Sequence, residues 1–521
     1  MDNMSKTINE SLQTITKGAG ITLFGMAAQM VLAMVTRIIL IRYIARSEYG
    51  IYSLALTLLN ILVSFSTLGT ERGTARQIAF YRGKKDKSKV REVVFASLRV
   101  GIIASVFFSL VLFFTSDFIS TRLFHTPEVA TVAKIFCIAI PFLALSNIFS
   151  AMFRGFNRAQ PDVYFDLILT NALFPLLLLI VILPGLPFIW VVYAFVASII
   201  LTFVAYAIYT TKNLPLASRY ADIVSASSTT KELLLFSLPL LLVGMFRSII
   251  TWTDTLMLGY FMLPDDVGLY NGAIPLAHLI PTGLAAISVL YIPVVSQFYA
   301  KSQQEEMRRT YVVLTKWVLA TALPIFLILV LFPEFTLNIM FGSRYAGAAS
   351  ALQILSLGFF ISAILGLNAG TLTAIGQTKF LMWATMTAAI ANVILNAALI
   401  PPLGINGAAI ASALAIATQN FLISARLYLF TKLHPFTSNY LKPAIASIAS
   451  VLIISVAVRN LVGTMPLWLL PILLVSFLGV YALSMVLTRS FDKEDIMMLL
   501  AIERRLGLDL SAVKRILKRF I

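Results

Sequence analysis

The sequence predicts an all-α polytopic membrane protein of about 14 transmembrane helices, built as two six-helix lobes plus two C-terminal helices. Three observations lead there. The chain is 59% hydrophobic and only 12% charged over 521 residues, whereas a soluble fold of this size carries a far more charged exterior. Its apolar segments run about 20 residues or more, enough to cross a bilayer core of roughly 30 Å as helices; strand-like alternation, the mark of a β-barrel, is absent. Finally, residues 48–62 (EYGIYSLALTLLNIL) and 266–280 (DVGLYNGAIPLAHLI) carry one hydrophobic plan twice. Just upstream, after a one-residue slip, TRIILIRY (36–43) aligns with TDTLMLGY (253–260), Thr36 on Thr253 and Tyr43 on Tyr260. An internally duplicated, many-helix membrane protein is most often a transporter.

Helices are expected near 18–43, 47–70, 93–116, 130–153, 163–183 and 187–211, forming an N-terminal lobe over 1–211. The polar stretch 212–232, centred on Ser225, Ala226, Ser227, Ser228, Thr229 and Thr230, reads as a flexible cytoplasmic connector. Helices near 233–262, 267–297, 312–333, 347–373, 380–400 and 405–430 form a C-terminal lobe over 233–432. Spans near 440–461 and 465–487 occupy 433–488. The tail, 489–521, alternates apolar residues with Lys514, Arg515, Lys518 and Arg519. It reads either as an amphipathic basic helix on the inner leaflet or as a dock for a cytoplasmic partner. After an even number of crossings the chain returns to its starting side. The lobes are therefore expected to form a parallel repeat about a pseudo-twofold axis along the membrane normal, with a central cleft between them.

The net charge of +17 does not point to nucleic acid, because of where it lies. Of 40 Lys and Arg, Arg46, Arg122, Arg344 and Arg459 fall in one set of alternate loops, and Arg37, Arg42, Arg99, Lys134, Arg247 and Lys316 inside apolar segments. The rest fall in the opposite loops and the tails. That asymmetry puts both termini in the cytoplasm of a multi-pass cell-membrane protein and lets basic tails meet anionic headgroups. The loops 71–92 and 298–311 carry much of this charge and read as topology determinants. The polar first 17 residues and the long apolar run after them read as a retained first span. Cys137 is the only cysteine, and the three histidines lack ligand spacing, so no disulfide, metal or cofactor is expected. No catalytic or nucleotide-binding motif occurs; the chain reads as a non-enzyme whose active transport would draw on an ion or substrate gradient.

Charge inside a bilayer costs roughly 2.5–3.5 kcal/mol at a helix centre, so such residues usually face a cavity or a partner. Arg99 and Lys316 lie near cytoplasmic helix ends and are expected to snorkel; Lys134 and Arg42 lie near outer ends. Arg37, Arg247 and Asp254 are less easily placed in lipid. Arg247 and Asp254 are two turns apart on nearly one helix face. Arg37 aligns with Asp254 in the repeat, so an Arg37–Asp254 ion pair across the cleft is expected, either static or broken and remade as the lobes move. Asp166, near the start of the fifth helix, reads as a dipole-stabilised carboxylate or a coupling-ion site. His278, aligned with Asn60, reads as a satisfied histidine or a proton relay. Glu71 and Arg72 line or mark the inner mouth. Pro275, Pro281 and Pro293, with Gly272 and Gly283, should interrupt the eighth helix; its proline-free counterpart, 47–70, should stay regular.

The block YIARSEYGIYSLALTLLNILVSFSTLGTERGTARQIA (43–79) resembles the start of polysaccharide transporter, or oligosaccharide flippase, proteins. FRGFNRAQPD (153–162) and LTAIGQTKF (372–380) look like the two versions of that family's loop between the fourth and fifth helices. Thr253–Asp254 followed by VGLY (267–270) resembles its second-lobe opening. The resemblance places the chain in the multidrug/oligosaccharidyl-lipid/polysaccharide exporter superfamily. It implies two lobes in a V, alternating access, and flipping of a polyprenyl-(di)phosphate-linked oligosaccharide from the inner to the outer leaflet. It also implies cavity arginines, matched here by Arg37 and Arg247, with Arg42 and Arg72 as further cationic candidates. The expected partners are a coupling ion (Na+ or H+), membrane lipids, and glycosyltransferases or a polymerase, with Asp254, His278 and Asp166 as the coupling or gating candidates. The alternatives are an ion-coupled exporter of small organic cations or drugs, and a non-transporting scaffold for glycan-assembly enzymes. A cation exporter should line its cleft with carboxylates, whereas these helix interiors hold Asp166 and Asp254 against several basic groups.

Overall fold

The computed structural model describes residues 24–158, 160–214 and 220–434, with Gly479 and Tyr481; at 220–228, 239, 240, 242, 243, 247, 289 and 290 it describes backbone alone. Among these residues every regular element is a helix. Each helix expected between 18 and 430 has a counterpart: α1 (Phe24–Tyr43), α2 (Arg46–Ser66), α3 (Thr70–Gly83), α4 (Lys87–Phe118), α5 (Glu128–Phe136), α6 (Ala139–Gly155), α7 (Gln160–Ile182) and α8 (Phe188–Asn213). They continue as α9 (Tyr220–Phe261), α10 (Pro264–Ala277), α11 (Thr282–Ala300), α12 (Gln304–Leu331), α13 (Pro333–Phe341), α14 (Ala349–Leu365), α15 (Asn368–Ala374), α16 (Thr378–Leu403) and α17 (Ile405–Thr431). By length and composition, nine helices among the described residues could cross a membrane, or up to eleven when bent pairs count as single spans. The spans expected at 440–461 and 465–487 and the tail fall outside the described residues, apart from Gly479 and Tyr481.

Three expectations change. The basic segment 71–92 is mostly helix, not loop: α3 buries Gly73, Thr74, Gln77 and Ile78 along one stripe. Only a short turn separates it from α4, whose Asp86 cap accepts from the Lys89 amide at 3.0 Å. The connector 212–232 is helical from Tyr220 onward, since nothing between 220 and 232 is Gly or Pro and the segment finds partners. Thr229 donates to Glu92 on α4 at 2.6 Å, and Lys89 donates to the same carboxylate at 2.7 Å. Lys316 does not snorkel; it is buried on α12.

The eighth span breaks as its prolines predicted. α10 ends at Ala277, residues 278–281 form a turn, and α11 restarts after Pro281. The fourth span also bends, by 41° between α5 and α6.

Contacts divide the chain into two compact units, 1–272 with 393–408, and 273–392 with 409–521. In the first, Ile78, Val93, Ile148, Phe149, Phe153 and Tyr206 from α3, α4, α6 and α8 share one core. In the second, Tyr291, Tyr311, Leu372, Ala384 and Ile423 form the comparable core, where Tyr291 and Thr371 hydroxyls meet at 2.7 Å.

Within the first unit the two copies of the repeated motif touch. A Cβ on Gly50 would lie 1.8 Å from the Pro264 carbonyl oxygen, and one on Gly268 would lie 2.2 Å from the Arg46 carbonyl oxygen. Each glycine thus meets the carbonyl four residues ahead of the other glycine. Only a residue without a side chain allows helix starts to approach so closely. An Arg46–Asp265 ion pair closes the same crossing.

Candidate functional site

A cavity of about 270 Å³ lies in the first unit, walled by the α2–α3 corner and one face of α9. From the corner come Ile61, Ser64, Phe65, Thr67, Glu71 and Arg72; α9 adds Trp252 and Thr253 among apolar neighbours. The corner needs two successive left-handed residues, Leu68 (φ 46°) and Gly69 (φ 71°). A Cβ on Gly69 would meet the Ser237 carbonyl of α9 at 2.5 Å, so the glycine also sets how closely α9 approaches. Arg72 is exposed and Glu71 half-buried. A guanidinium and a carboxylate therefore stand in a largely apolar recess beside an indole. The sequence marked these two charges but not Trp252, which nothing in the hydropathy distinguishes from a lipid-facing aromatic.

Asp254 is buried instead of lining this cavity. Its carboxylate accepts from Tyr270 Oη at 2.6 Å and from Asn396 Nδ2 at 2.8 Å, while neighbouring Thr255 donates to Asn271 at 3.1 Å. This polar knot ties α9, α10 and α16 together. The Arg37–Asp254 pair expected from the repeat is not formed. Arg37 is exposed on α1, near enough to Tyr49 and Tyr52 to act on them electrostatically. In the repeat Arg37 corresponds to Asp254 and Tyr52 to Tyr270, and it is Tyr270 that donates to Asp254. Equivalence in a repeat is not contact.

Arg42 is exposed near the end of α1, where Tyr43 Oη donates to the Leu186 carbonyl at 2.6 Å. Arg247 lies on α9; its side chain falls outside the described residues. Arg99 is exposed. Lys134 pairs with Asp117 at 2.7 Å. His278 sits in the α10–α11 break, its ring 4.5 Å from that of Phe359.

Asp166 is not a simple helix-start carboxylate. It lies in a π-helical turn, Val163–Leu169, inside α7. One turn before it, Asp162 accepts from Ser150 Oγ and, at 3.5 Å, from the Arg154 guanidinium, and Tyr206 stacks on Phe165 at 4.5 Å. Sequence reasoning missed this cluster. The four-residue spacing of Asp162 and Asp166 was the available signal.

Residues 15–299, more than half of the sequence, match the polysaccharide biosynthesis protein family. The chain belongs to that family. Residues 239–398 also match the MatE family. A Haloferax volcanii protein named as a probable low-salt glycan biosynthesis flippase is 27% identical over 172 residues, 33% of this chain and 36% of that relative. The chain thus matches about a third of that relative's length. A Shigella flexneri protein with "O-antigen transporter" in its name is 22% identical over 70% of this chain and 86% of its own. Among solved structures, the lipid II flippase MurJ in an inward closed conformation superposes with a TM-score of 0.69 at 14% identity, covering 90% of this chain and 98% of that one. At that identity the likeness establishes a shared fold for this member of the family.

Proposed function

We propose that the protein is a flippase, not a catalyst, moving a polyprenyl-(di)phosphate-linked oligosaccharide from the inner to the outer leaflet of the cell membrane by alternating access, with both termini cytoplasmic. The cavity carries this reading. Arg72 stands in an apolar recess beside Trp252 and Thr253, a setting suited to an anionic headgroup whose hydrocarbon stays in lipid. A guanidinium meets phosphate oxygens in bidentate fashion and stays charged when partly desolvated. Arg37, Arg42 and Arg247 are proposed to extend the cationic path. The names of the Haloferax and Shigella relatives support a glycan-lipid substrate. Cation export fits less well, because the buried carboxylate of Asp254 already accepts from Tyr270 and Asn396.

The test is reconstitution in liposomes with a lipid-linked oligosaccharide, following its leaflet position over time. Arg72→Ala, Arg37→Ala and Arg247→Ala should each slow flipping about tenfold, the loss of one charge-assisted contact. Unchanged rates in all three would remove the cationic route. Drug-cation efflux without lipid flipping would replace this reading with the exporter.

A further inference from the structure

Arg72, which lines the cavity, is the first of a row. α3 turns Gly73, Thr74, Gln77 and Ile78 inward. On its opposite face Arg72, Arg76, Phe80 and Lys84 follow at four-residue intervals, all exposed; side chains so spaced lie along one side of a helix. Lys84 Nζ is 4.5 Å from the centre of the Phe80 ring, and the Arg76 guanidinium is 4.5 Å from that of Phe236 on α9. Among the described residues no carboxylate pairs with Arg72, Arg76 or Lys84, and half-buried Glu71 is the one acid of α3. The row also rises clear of the bilayer. α2 has 21 residues, about 31 Å of helix, which by itself matches a hydrocarbon core of roughly 30 Å. α3 then continues along the helix that α2 packs on. A Cβ on Gly259 of α9 would meet Leu54 of α2 at 2.4 Å, one on Gly69 would meet the Ser237 carbonyl at 2.5 Å, and Tyr81 Oη donates to Glu232 at 3.3 Å. Leu54 to Tyr81 covers as many residues as Glu232 to Gly259, so α2 and α3 together keep pace with α9. Arg72 to Lys84 spans about 18 Å beyond the end of α2, whereas a headgroup layer is only about 5–7 Å deep.

We propose that this row on α3 is a track for the sugar portion of the transported lipid, and that the oligosaccharide it takes is acidic, carrying carboxylates such as those of uronic acid units. The row joins the cavity through Arg72, so its ligand continues from whatever the cavity holds. It reaches past the depth of phospholipid headgroups and of a lipid-borne diphosphate, which leaves the part of the substrate that projects into water. Guanidinium and ammonium groups take carboxylates through charge-assisted hydrogen bonds. Phe80 offers an aromatic face to the apolar side of a sugar ring. Cations without acidic neighbours draw anions in and turn neutral chains into poorer ligands. Arg82 stands apart from the row: it donates to the Gly155 carbonyl at 3.1 Å and lies 5.0 Å over Phe156, which fixes α3 against α6. The transport role rests on the flippase reading above; binding of an acidic glycan to α3 does not.

Binding of a soluble oligogalacturonate to the whole protein in nanodiscs of zwitterionic lipid tests the site. The wild type should bind it at low salt and release it near about 1 M salt, and a malto-oligosaccharide of equal length should not bind. Arg76→Gln with Lys84→Gln should weaken binding about tenfold or more. Arg308→Gln with Arg309→Gln removes the same charge elsewhere and should leave it within about twofold. No binding by the wild type, or equal weakening by both double variants, would overturn the proposal. In liposomes a uronate-bearing lipid-linked oligosaccharide should flip about tenfold faster than its neutral counterpart, a preference that Arg76→Gln with Lys84→Gln loses. Flipping without preference would overturn the acidic substrate. So would a defect of that variant confined to liposomes of anionic phospholipid and equal for both glycans, because the row would then meet the membrane surface. Oligogalacturonate binding without flipping of either lipid would sink the flippase reading and leave the glycan site standing.

Discussion

The two copies of the repeat begin alike and then diverge. Tyr52 and Tyr270 occupy matching places, each two residues after the glycine at the crossing, and both are buried. Tyr52 faces aromatics, with Phe136 at 5.5 Å and Phe195 at 5.8 Å, and feels the charge of an exposed Arg37. Tyr270 donates to a buried Asp254 that Asn396 also binds. Downstream, Asn60 sits in an unbroken helix and donates to the Leu56 carbonyl at 2.8 Å, whereas the aligned His278 lies in a break. Duplication kept the crossing and changed the charge. The second copy spends its ionisable group on holding helices together. The first leaves its ionisable group exposed.

The crossing itself should be the most sensitive point. Gly50→Val must displace the Pro264 carbonyl, so about 3 kcal/mol or more of destabilisation is expected, read as loss of folded protein in a thermal-shift assay. Gly268→Val should do the same against Arg46. If either is tolerated, the backbones do not cross where the duplicated glycines lie.

Next come the two charges. Asp254→Ala removes the buried carboxylate that accepts from the Tyr270 hydroxyl and the Asn396 amide and should cost about 3 kcal/mol. Arg37→Ala should cost no more than about 0.5 kcal/mol and yet slow flipping. Equal stability losses would mean that both copies use their charge structurally, and the contrast would fail.

How much of this was legible follows from what an apolar sequence can encode. The glycines, the prolines behind the α10–α11 break, and the Glu71–Arg72 pair all stand out against hydrocarbon residues, and each marks a real feature. Burial did not stand out. In a membrane protein both the lipid face and the packed face of a helix are apolar, so the pattern that sorts faces in soluble helices is weak. That is why Lys316 could be assigned to the interface although it is buried, and why Trp252 passed unnoticed. Asn396, far along the chain from Asp254, offered no local signal. The helicity of 220–232 was missed because Ser and Thr read as linker composition, while its partner Glu92 lies on another helix.

A smaller effect separates the tyrosines. Tyr270→Phe removes a hydrogen bond to a carboxylate and should cost about 2 kcal/mol. Tyr52→Phe keeps the ring among Phe136 and Phe195 and should cost about 0.5 kcal/mol or less. Chemical denaturation of the two variants side by side reads the difference. A reversed order would mean that the Tyr52 hydroxyl, not that of Tyr270, is the one engaged.

The smallest change copies the first motif into the second. His278→Asn restores the residue at Asn60 and removes an edge-on ring contact with Phe359, worth about 0.5 kcal/mol. Its value lies in pH. A histidine ordinarily titrates near neutrality. If the broken second copy carries no titrating group that transport uses, the variant keeps the wild-type pH profile of flipping. If His278→Asn flattens that profile, the titrating group belongs to the second copy, and the division of labour between the copies must be drawn the other way.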